Sequence, residues 1–216
     1  MNKLIVILLI ALSVISCRKV CASECSNLYP NNTPIVVQGT TELCNSFYVS
    51  LYDKTNQKVI LVAEHLKHGS IGSVPRNDEF HADDRIGKKP NPSQYHDTGY
   101  DKGHMAPAGD ASNEQEMYET FAMTNMTPQK PTLNRNSWRM LEEGIRKRFA
   151  SSKTDMYIIN IAIYGNNGQM NGIPIPIGYW KIIISDGTTW YYYADNLDNA
   201  KVVQKQPIAI NLLLPK

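Results

Sequence analysis

The sequence predicts an α+β fold, and three observations support this prediction. Two runs rich in β-branched and aromatic residues, 46–52 and 58–64, flank the turn sequence "DKTNQ" and predict a β-hairpin. Residues 132–150 carry apolar side chains at helical spacing. Strands and helices are mixed along the chain without a regular strand–helix–strand alternation, which argues against a doubly wound parallel sheet.

The other elements follow in chain order. Residues 67–99 are polar and contain many Gly, Pro, Asn and Asp residues, which predicts a long loop of the kind that often carries function. A short helix is predicted over 112–122, with Ser112 or Asn113 as its N-cap. In the longer helix over 132–150, one apolar stripe is formed by Trp138, Leu141, Ile145 and Phe149. Further strands are predicted over 155–164, 179–185 and 189–194.

Residues 1–22 predict a secretory signal, because Lys3 precedes an apolar run and Val20-Cys21-Ala22 offers the small residues that a signal peptidase requires. The apolar run is shorter than the ~20 residues that span a bilayer. The alternative is a lipoprotein signal, because Val14-Ile15-Ser16-Cys17 resembles a lipobox that would place a lipid on Cys17. The predicted location is therefore secreted or periplasmic, with a membrane-anchored lipoprotein as the alternative. Residues 23–216 are predicted to form a single domain.

The cysteines favour an oxidising compartment. Cleavage after Ala22 leaves Cys25 and Cys44, and an even pair in an exported protein predicts a disulfide. Cleavage before Cys17 would instead leave an odd number of thiols, those of Cys21, Cys25 and Cys44. The alternative to a Cys25–Cys44 disulfide is that both cysteines are free thiols.

The charge balance excludes a globally basic nucleic-acid footprint. The chain has 22 Lys and Arg against 20 Asp and Glu, a formal net charge of +2, and three of the basic residues lie in the predicted signal. A polyanionic partner must therefore be attracted locally. The segment 130–148 is the candidate, because it holds six basic residues against two acidic ones.

The residues that predict chemistry lie in two places. In "YDKGHMAPAGD", His104 follows Gly103 at the end of a strand, where a tight backbone would present its side chain. Asn134 and Glu142 lie four residues before and after Trp138, so an amide and a carboxylate are stacked along one helix. Hard cations such as Mg²⁺ take such oxygen ligands, and a neutral histidine nearby can accept a proton from water. The combination predicts metal-assisted hydrolysis of a phosphodiester.

Three blocks in this order, "YDKGHMAPAGDA", "ETFAMTNMTPQ" and "LNRNSWRMLEEGIR", resemble the DNA/RNA non-specific endonucleases. The resemblance implies the ββα-metal fold, with a mixed or antiparallel central sheet flanked by helices. It also implies one divalent ion, Mg²⁺ with Mn²⁺ as the alternative, and DNA and RNA as substrates, cleaved with little sequence specificity to leave 5′-phosphate and 3′-hydroxyl ends.

The resemblance assigns roles to four residues of the motifs. His104 matches the general base that deprotonates the attacking water. Asn134 matches the direct protein ligand of the metal, and Glu142 matches the carboxylate that holds the metal's waters. Asn125 matches an amide near the site that orients the histidine or a phosphate oxygen.

Basic residues complete the implied site. Arg76 lies where the family has an arginine that supports phosphate charge, and Arg146 can do likewise. Lys102 stands where the family's D-R-G-H motif has arginine, so it keeps the charge without the planar guanidinium. It is expected to act on substrate phosphate or on the fold around Asp101, which is itself interpreted as structural.

Simpler interpretations exist for several of these residues. Asn134 can be a helix N-cap, Glu142 can belong to a solvated helix face, and His65 with His68 lacks the further ligands that a zinc site needs. Two other function classes also remain open. One is a non-catalytic surface protein for nucleic-acid binding or uptake, and the other is a phosphodiesterase for small nucleotides.

Overall fold

The computed structural model describes residues 23–70, 74–86 and 90–206, so the predicted signal, with Cys17 and Cys21, lies outside the described residues. In this part of the chain, seven strands form one antiparallel sheet in the order β1-β2-β3-β6-β7-β8-β9, and β4 pairs with β5 separately. The strands are β1 Thr41–Cys44, β2 Tyr48–Asp53, β3 Lys58–Leu66, β4 Asp101–His104, β5 Met126–Gln129, β6 Met156–Met170, β7 Ile173–Ser185, β8 Thr188–Asp195 and β9 Val203–Gln204. This is the predicted α+β architecture.

The predicted hairpin is confirmed as β2 and β3, and the three later strands are confirmed as β6, β7 and β8. Strands β6 and β7 extend further than predicted. The prediction was too short because the sequence "YGNNGQMNG" contains several residues that are typical of turns. The two strands are joined at Asn171 and Gly172, whose φ angles are 45° and 86°, and an Asn-Gly pair with positive φ suits a two-residue hairpin turn. The earlier Gly and Asn residues lie in an irregularity of the β6–β7 register between Tyr164 and Gln169, where Gly168 also has a positive φ, of 71°.

The helices differ from prediction in one respect. The short helix α1, Glu114–Thr120, begins after Asn113, whose side chain accepts a hydrogen bond from the backbone N–H of Glu116. The predicted continuous helix over 132–150 is divided into a π-helix, Leu133–Trp138, and an α-helix, α2, Arg139–Ala150. No helix in the described ranges is long and apolar enough to cross a membrane.

The large sheet carries an apolar layer on each face. On the face covered by the helices, the predicted stripe is confirmed, since Trp138, Ile145 and Phe149 are buried and Leu141 packs beside them. The opposite face packs against the N-terminal segment, 25–37. Helices and the β4–β5 pair are thereby held on one side of the sheet, and this side contains the residues predicted to be functional.

The predicted disulfide between Cys25 and Cys44 is present. It joins the N-terminal segment to the last residue of β1. Closing a loop of this size removes conformational entropy from the unfolded chain, a contribution of ~3 kcal/mol. The bridge therefore helps to fix the N-terminal segment over the far face of the sheet.

Candidate active site

His104 lies at the end of β4, which pairs with β5 so that Gly103 is opposite Thr127 and His104 is opposite Met126. A Cβ atom on Gly103 would lie 2.6 Å from the Cβ atom of Gln129, which is too close for two carbon atoms, so the position requires glycine. The His104 ring packs edge-on against Phe121, with ring centroids 4.9 Å apart. The glycine before the histidine thus allows the two short strands to approach and fixes the ring position.

The surroundings of His104 favour its neutral form. Burial, followed by the positive charge of Arg76, lowers the pKa of His104 to about 3. Its Nε2 atom is buried and finds no hydrogen-bond partner among the described residues. A neutral imidazole with an unpaired nitrogen is able to accept a proton, as a general base must.

This lowered pKa predicts that acid destabilises the protein through His104. The unfolded state, with a histidine pKa of about 6.5, takes up the proton first as the pH falls, so stability declines between about pH 6.5 and pH 3. Between pH 7 and pH 5, the wild type is expected to lose about 2 kcal/mol more unfolding free energy than His104→Gln. Urea unfolding at each pH measures this difference. An identical pH dependence in the two proteins would show that His104 is not held neutral by the fold.

Asn134 has a fixed side-chain orientation. It lies in the π-helix, and its Nδ2 atom donates to the Oδ2 atom of Asp101 at 2.9 Å. An ionised carboxylate only accepts hydrogen bonds, so the atom that faces Asp101 must be the amide nitrogen. Asp101 is itself held by two hydrogen bonds from Arg135. The pairing leaves the Oδ1 atom of Asn134 as an acceptor for another partner, which the helix-cap interpretation does not explain.

Glu142, in α2, is largely shielded from solvent, with 14% of its side chain exposed, whereas the adjacent Glu143 is 43% exposed and pairs with Arg139. The Oε1 atom of Glu142 lies 3.4 Å from the Nζ atom of Lys181. Burial raises the pKa of Glu142, and the charge of Lys181 opposes that rise. The solvated-face interpretation therefore applies to Glu143 and is wrong for Glu142.

One cavity of about 340 Å³ brings together six of the seven residues predicted for the site. They come from the long loop, from β4 and from the two consecutive helices. The six are Arg76, Lys102, His104, Asn134, Glu142 and Arg146.

Five basic side chains line the cavity, and they differ in whether a carboxylate pairs with them. Four arginines each have a carboxylate partner, in the pairs Arg76–Asp78, Arg135–Asp101, Arg139–Glu143 and Arg146–Asp110. Lys102 instead lies over the ring of Phe80, with its Nζ atom 4.5 Å from the centroid, and no carboxylate pairs with it in the described part of the chain. Asp101 is bonded to Asn134 and Arg135, and Lys102 forms no ion pair with it in the described residues. Its charge is available to an anion in the cavity.

Asn125 is a correction to the sequence-based prediction. It is fully buried and is not among the residues that line the cavity. Its Oδ1 atom accepts from the backbone N–H of Ala106, and its Nδ2 atom donates to the carbonyl oxygens of Ala106 and Thr120. Both ends of the amide bond to backbone groups, so Asn125 fixes the segment after His104 and its side chain does not line the cavity.

Sequence reasoning missed two groups of residues around the cavity. Arg135 and Arg139 line it, and the basic segment 130–148 was the signal that could have identified them. Lys181 lies beneath Glu142, and its only signal was a lysine within an apolar strand, "GYWKIIIS". Outside the cavity, both ring nitrogens of His65 have partners, the carbonyl oxygen of Asn27 and the carboxylate of Asp155.

Comparison with known families gives a match that covers most of the chain. The sequence model of the DNA/RNA non-specific endonuclease family matches residues 26–211. The chain belongs to this family. The motif blocks around His104, Asn125 and Asn134 all lie within the matched range.

Several curated nucleases are similar to this chain. "Nuclease" of Nostoc sp. is 33% identical over 146 residues, which cover 63% of this chain and 52% of that protein. "Endonuclease G, mitochondrial" of Bos taurus is 34% identical over 155 residues, covering 63% and 52%. "Nuclease C1" of Cunninghamella echinulata var. echinulata is 27% identical over 208 residues, covering 83% and 81%. The chain therefore spans about half the length of the first two relatives and most of the third.

A solved structure has the same fold. The matching chain comes from the crystal structure of the EndoG/EndoGI complex, and it aligns with a TM-score of 0.69 at 24% identity. The alignment covers 80% of this chain and 82% of that one. The fold of this family member is thus the ββα-metal endonuclease fold that the motif resemblance implied.

The side chains in the cavity fit a hard divalent cation. Asn134 offers an amide oxygen whose orientation Asp101 fixes, and Glu142 offers a largely shielded carboxylate that contacts Lys181 through its Oε1 atom. Oxygen ligands of this kind suit Mg²⁺, which keeps several waters when the protein supplies few ligands. The other grouping of metal-type ligands in the described chain, Cys25 with Glu42 and Cys44, contains the disulfide, so its sulfurs are not free to bind metal.

Proposed function

We propose that this protein is an exported, metal-dependent endonuclease that hydrolyses phosphodiester bonds of DNA and RNA and leaves 5′-phosphate ends. The observation that carries the proposal is the single cavity shared by neutral His104, oriented Asn134 and shielded Glu142. Membership of the endonuclease family supports the same reaction class.

The residues have distinct roles in this proposal. His104 accepts a proton from the water that attacks phosphorus, because it is neutral and has an unpaired nitrogen. Asn134 and Glu142 hold the divalent ion, Mg²⁺ or Mn²⁺, directly and through its waters. When bound, such an ion supplies Lewis-acid stabilisation of charge on the phosphate and the leaving oxygen. The lining arginines and Lys102 bind the phosphate oxygens.

The same cavity explains the proposed lack of sequence preference. Its charged lining is suited to phosphate groups, and contacts to the backbone carry no sequence information directly. DNA and RNA share this backbone chemistry, so both are proposed substrates. Positive charge concentrated at the cavity also attracts a polyanion to a chain whose overall charge is small.

Cleavage of a closed circular plasmid and of an RNA, each with and without EDTA, tests the function. The expected result is nicking and degradation that EDTA stops and that added Mg²⁺ or Mn²⁺ restores. If the protein binds the plasmid but does not cut it, the result would favour the alternative of a non-catalytic surface protein that binds nucleic acid. Cleavage restricted to small nucleotide diesters would favour the phosphodiesterase alternative, since only an endonuclease opens a circle.

The chemical form of the ends and the location need separate tests. Products with 5′-phosphates accept a radioactive label from polynucleotide kinase only after dephosphorylation. The Cys25–Cys44 disulfide supports export, because disulfides persist in oxidising compartments. Mass spectrometry of the mature protein distinguishes a start at Ser23, which the secreted or periplasmic form requires, from a lipid-modified Cys17. A single domain from residue 23 onward is proposed for the mature chain.

Lys102 is expected to act through its charge. Lys102→Ala should lower the rate of plasmid nicking by at least ~10-fold, about 1.4 kcal/mol of lost transition-state stabilisation. Lys102→Arg should keep most of the activity, because a guanidinium preserves the charge and can also stack on Phe80. Initial rates at two salt concentrations provide the measurement. Unchanged rates for a folded Lys102→Ala protein at both concentrations would remove Lys102 from the site.

A further inference from the structure

A row of buried polar side chains crosses the sheet beneath the cavity. Glu64, Asn160 and Lys181 lie on the adjacent strands β3, β6 and β7, with exposures of 0%, 1% and 0%. Asn160 and Lys181 are direct partners in the β6–β7 register, and the Nδ2 atom of Asn160 donates to the Oε1 atom of Glu64. Burying charge in the middle of a sheet is unfavourable without a partner, so the row requires an explanation.

Lys181 connects this row to the helix above it. Its Nζ atom lies 3.4 Å from the Oε1 atom of Glu142 and 5.4 Å from the centroid of the Trp138 ring. The other charged groups near Glu142, Arg146 and Asp110, are paired with each other at 2.9 Å. Among the described residues, Lys181 is therefore the cation that contacts the Glu142 carboxylate directly.

We propose that Lys181 is a positioning residue, which holds the Oε1 atom of Glu142 from below and so fixes the direction in which the carboxylate faces the cavity. The inference rests on the proposed function, in which Glu142 binds the waters of a divalent cation. Such a carboxylate must be held in one orientation, because the groups that support metal-binding side chains set the affinity for the ion. Lys181 is suited to this task, since β7 is paired on both sides within the sheet and the Trp138 ring lies beside the ammonium group.

If Lys181 is a positioning residue, removing its ammonium group should change the Mg²⁺ affinity in the direction opposite to that expected from charge repulsion alone. An ammonium near the site repels a dication, so on Coulombic grounds its removal should strengthen Mg²⁺ binding. If Lys181 instead positions Glu142, its removal weakens Mg²⁺ binding although the site has become more negative. A purely structural lysine would change the melting temperature and leave Mg²⁺ binding as it is.

The test compares Lys181→Met with Lys58→Met. Lys58 is a matched control, because it also lies on the sheet, pairs with a carboxylate, that of Asp53, and packs over an aromatic ring, that of Tyr164. Calorimetric titration with MgCl₂, without nucleic acid, should show Mg²⁺ binding weakened by about 10-fold or more in Lys181→Met and unchanged in Lys58→Met. The Mg²⁺ concentration that gives half-maximal nicking should rise in parallel. Unchanged or tighter Mg²⁺ binding by folded Lys181→Met overturns the inference.

A second comparison asks whether Lys181 acts through Glu142. In a Glu142→Ala background, adding Lys181→Met should have little further effect on Mg²⁺ binding, because the carboxylate that Lys181 contacts is absent. Equal effects in both backgrounds would contradict the proposal. If Lys181→Met alone does not fold, Lys181→Met with Glu64→Gln removes one buried charge of each sign and gives the same expected result. A wild type that neither binds Mg²⁺ nor cleaves would refute the proposed function, whereas normal Mg²⁺ binding by the Lys181 variants refutes this inference alone.

Discussion

Replacing His104 with alanine is expected to lower plasmid cleavage by at least about 10²-fold, within the range of about 10²–10⁴ that general-base catalysis contributes. The physical reason is that the proposed function makes His104 the proton acceptor, and burial and the charge of Arg76 lower its pKa so that the neutral form is favoured. The fold should persist, because β4 keeps its backbone pairing to β5. Initial nicking rates at saturating Mg²⁺ provide the measurement.

His81→Ala is the matched control for this prediction. His81 is also a histidine packed against an aromatic ring, since it stacks on Tyr118 with centroids 4.0 Å apart, but it does not line the cavity. It should cleave at the wild-type rate. Binding of a fluorescent oligonucleotide in EDTA should be similar in all three proteins. Near-wild-type nicking by folded His104→Ala would refute the proposed base.

Asn134→Ala and Glu142→Ala are expected to raise the Mg²⁺ concentration for half-maximal rate by about 10–100-fold each, the usual cost of disturbing groups that hold a metal. Both residues face one cavity and would serve one ion. Their effects should therefore be less than additive in the double variant, as is typical of residues that act on a shared partner. Mg²⁺ titration of the cleavage rate, supported by calorimetry without nucleic acid, measures both quantities.

Glu143→Ala is the control for this second prediction. Glu143 is adjacent to Glu142 and also lines the cavity, but it is more exposed and already pairs with Arg139. Its loss should leave the Mg²⁺ dependence within about two-fold of wild type, since exposed ion pairs contribute little. Strictly additive losses in Asn134→Ala and Glu142→Ala, with an unchanged Mg²⁺ requirement, would show that the two residues do not share an ion.

Local patterns in the sequence predicted much of the fold. The hairpin of β2 and β3, the apolar stripe of the long helix and the N-cap of α1 each depend on residues within a few positions of one another. The β4–β5 pair was not predicted, because each strand has four residues and contains glycine or proline. The π-helix was also missed, since an apolar stripe does not distinguish it from an α-helix.

The sequence by itself determined the motif residues, His104, Asn134 and Glu142, because the family motifs are short and contiguous. The tertiary structure alone decided how they are supported. In the folded protein, Asn125 forms hydrogen bonds with the backbone of Ala106, and Lys181 contacts Glu142 from the sheet. These contacts join residues far apart in the chain, and their geometry depends on how the helices pack on the sheet. Hydrophobic periodicity in the sequence indicates which face of a helix or strand is buried. The hydrogen-bond or ion-pair partner of each buried polar group depends instead on how the helices pack on the sheet.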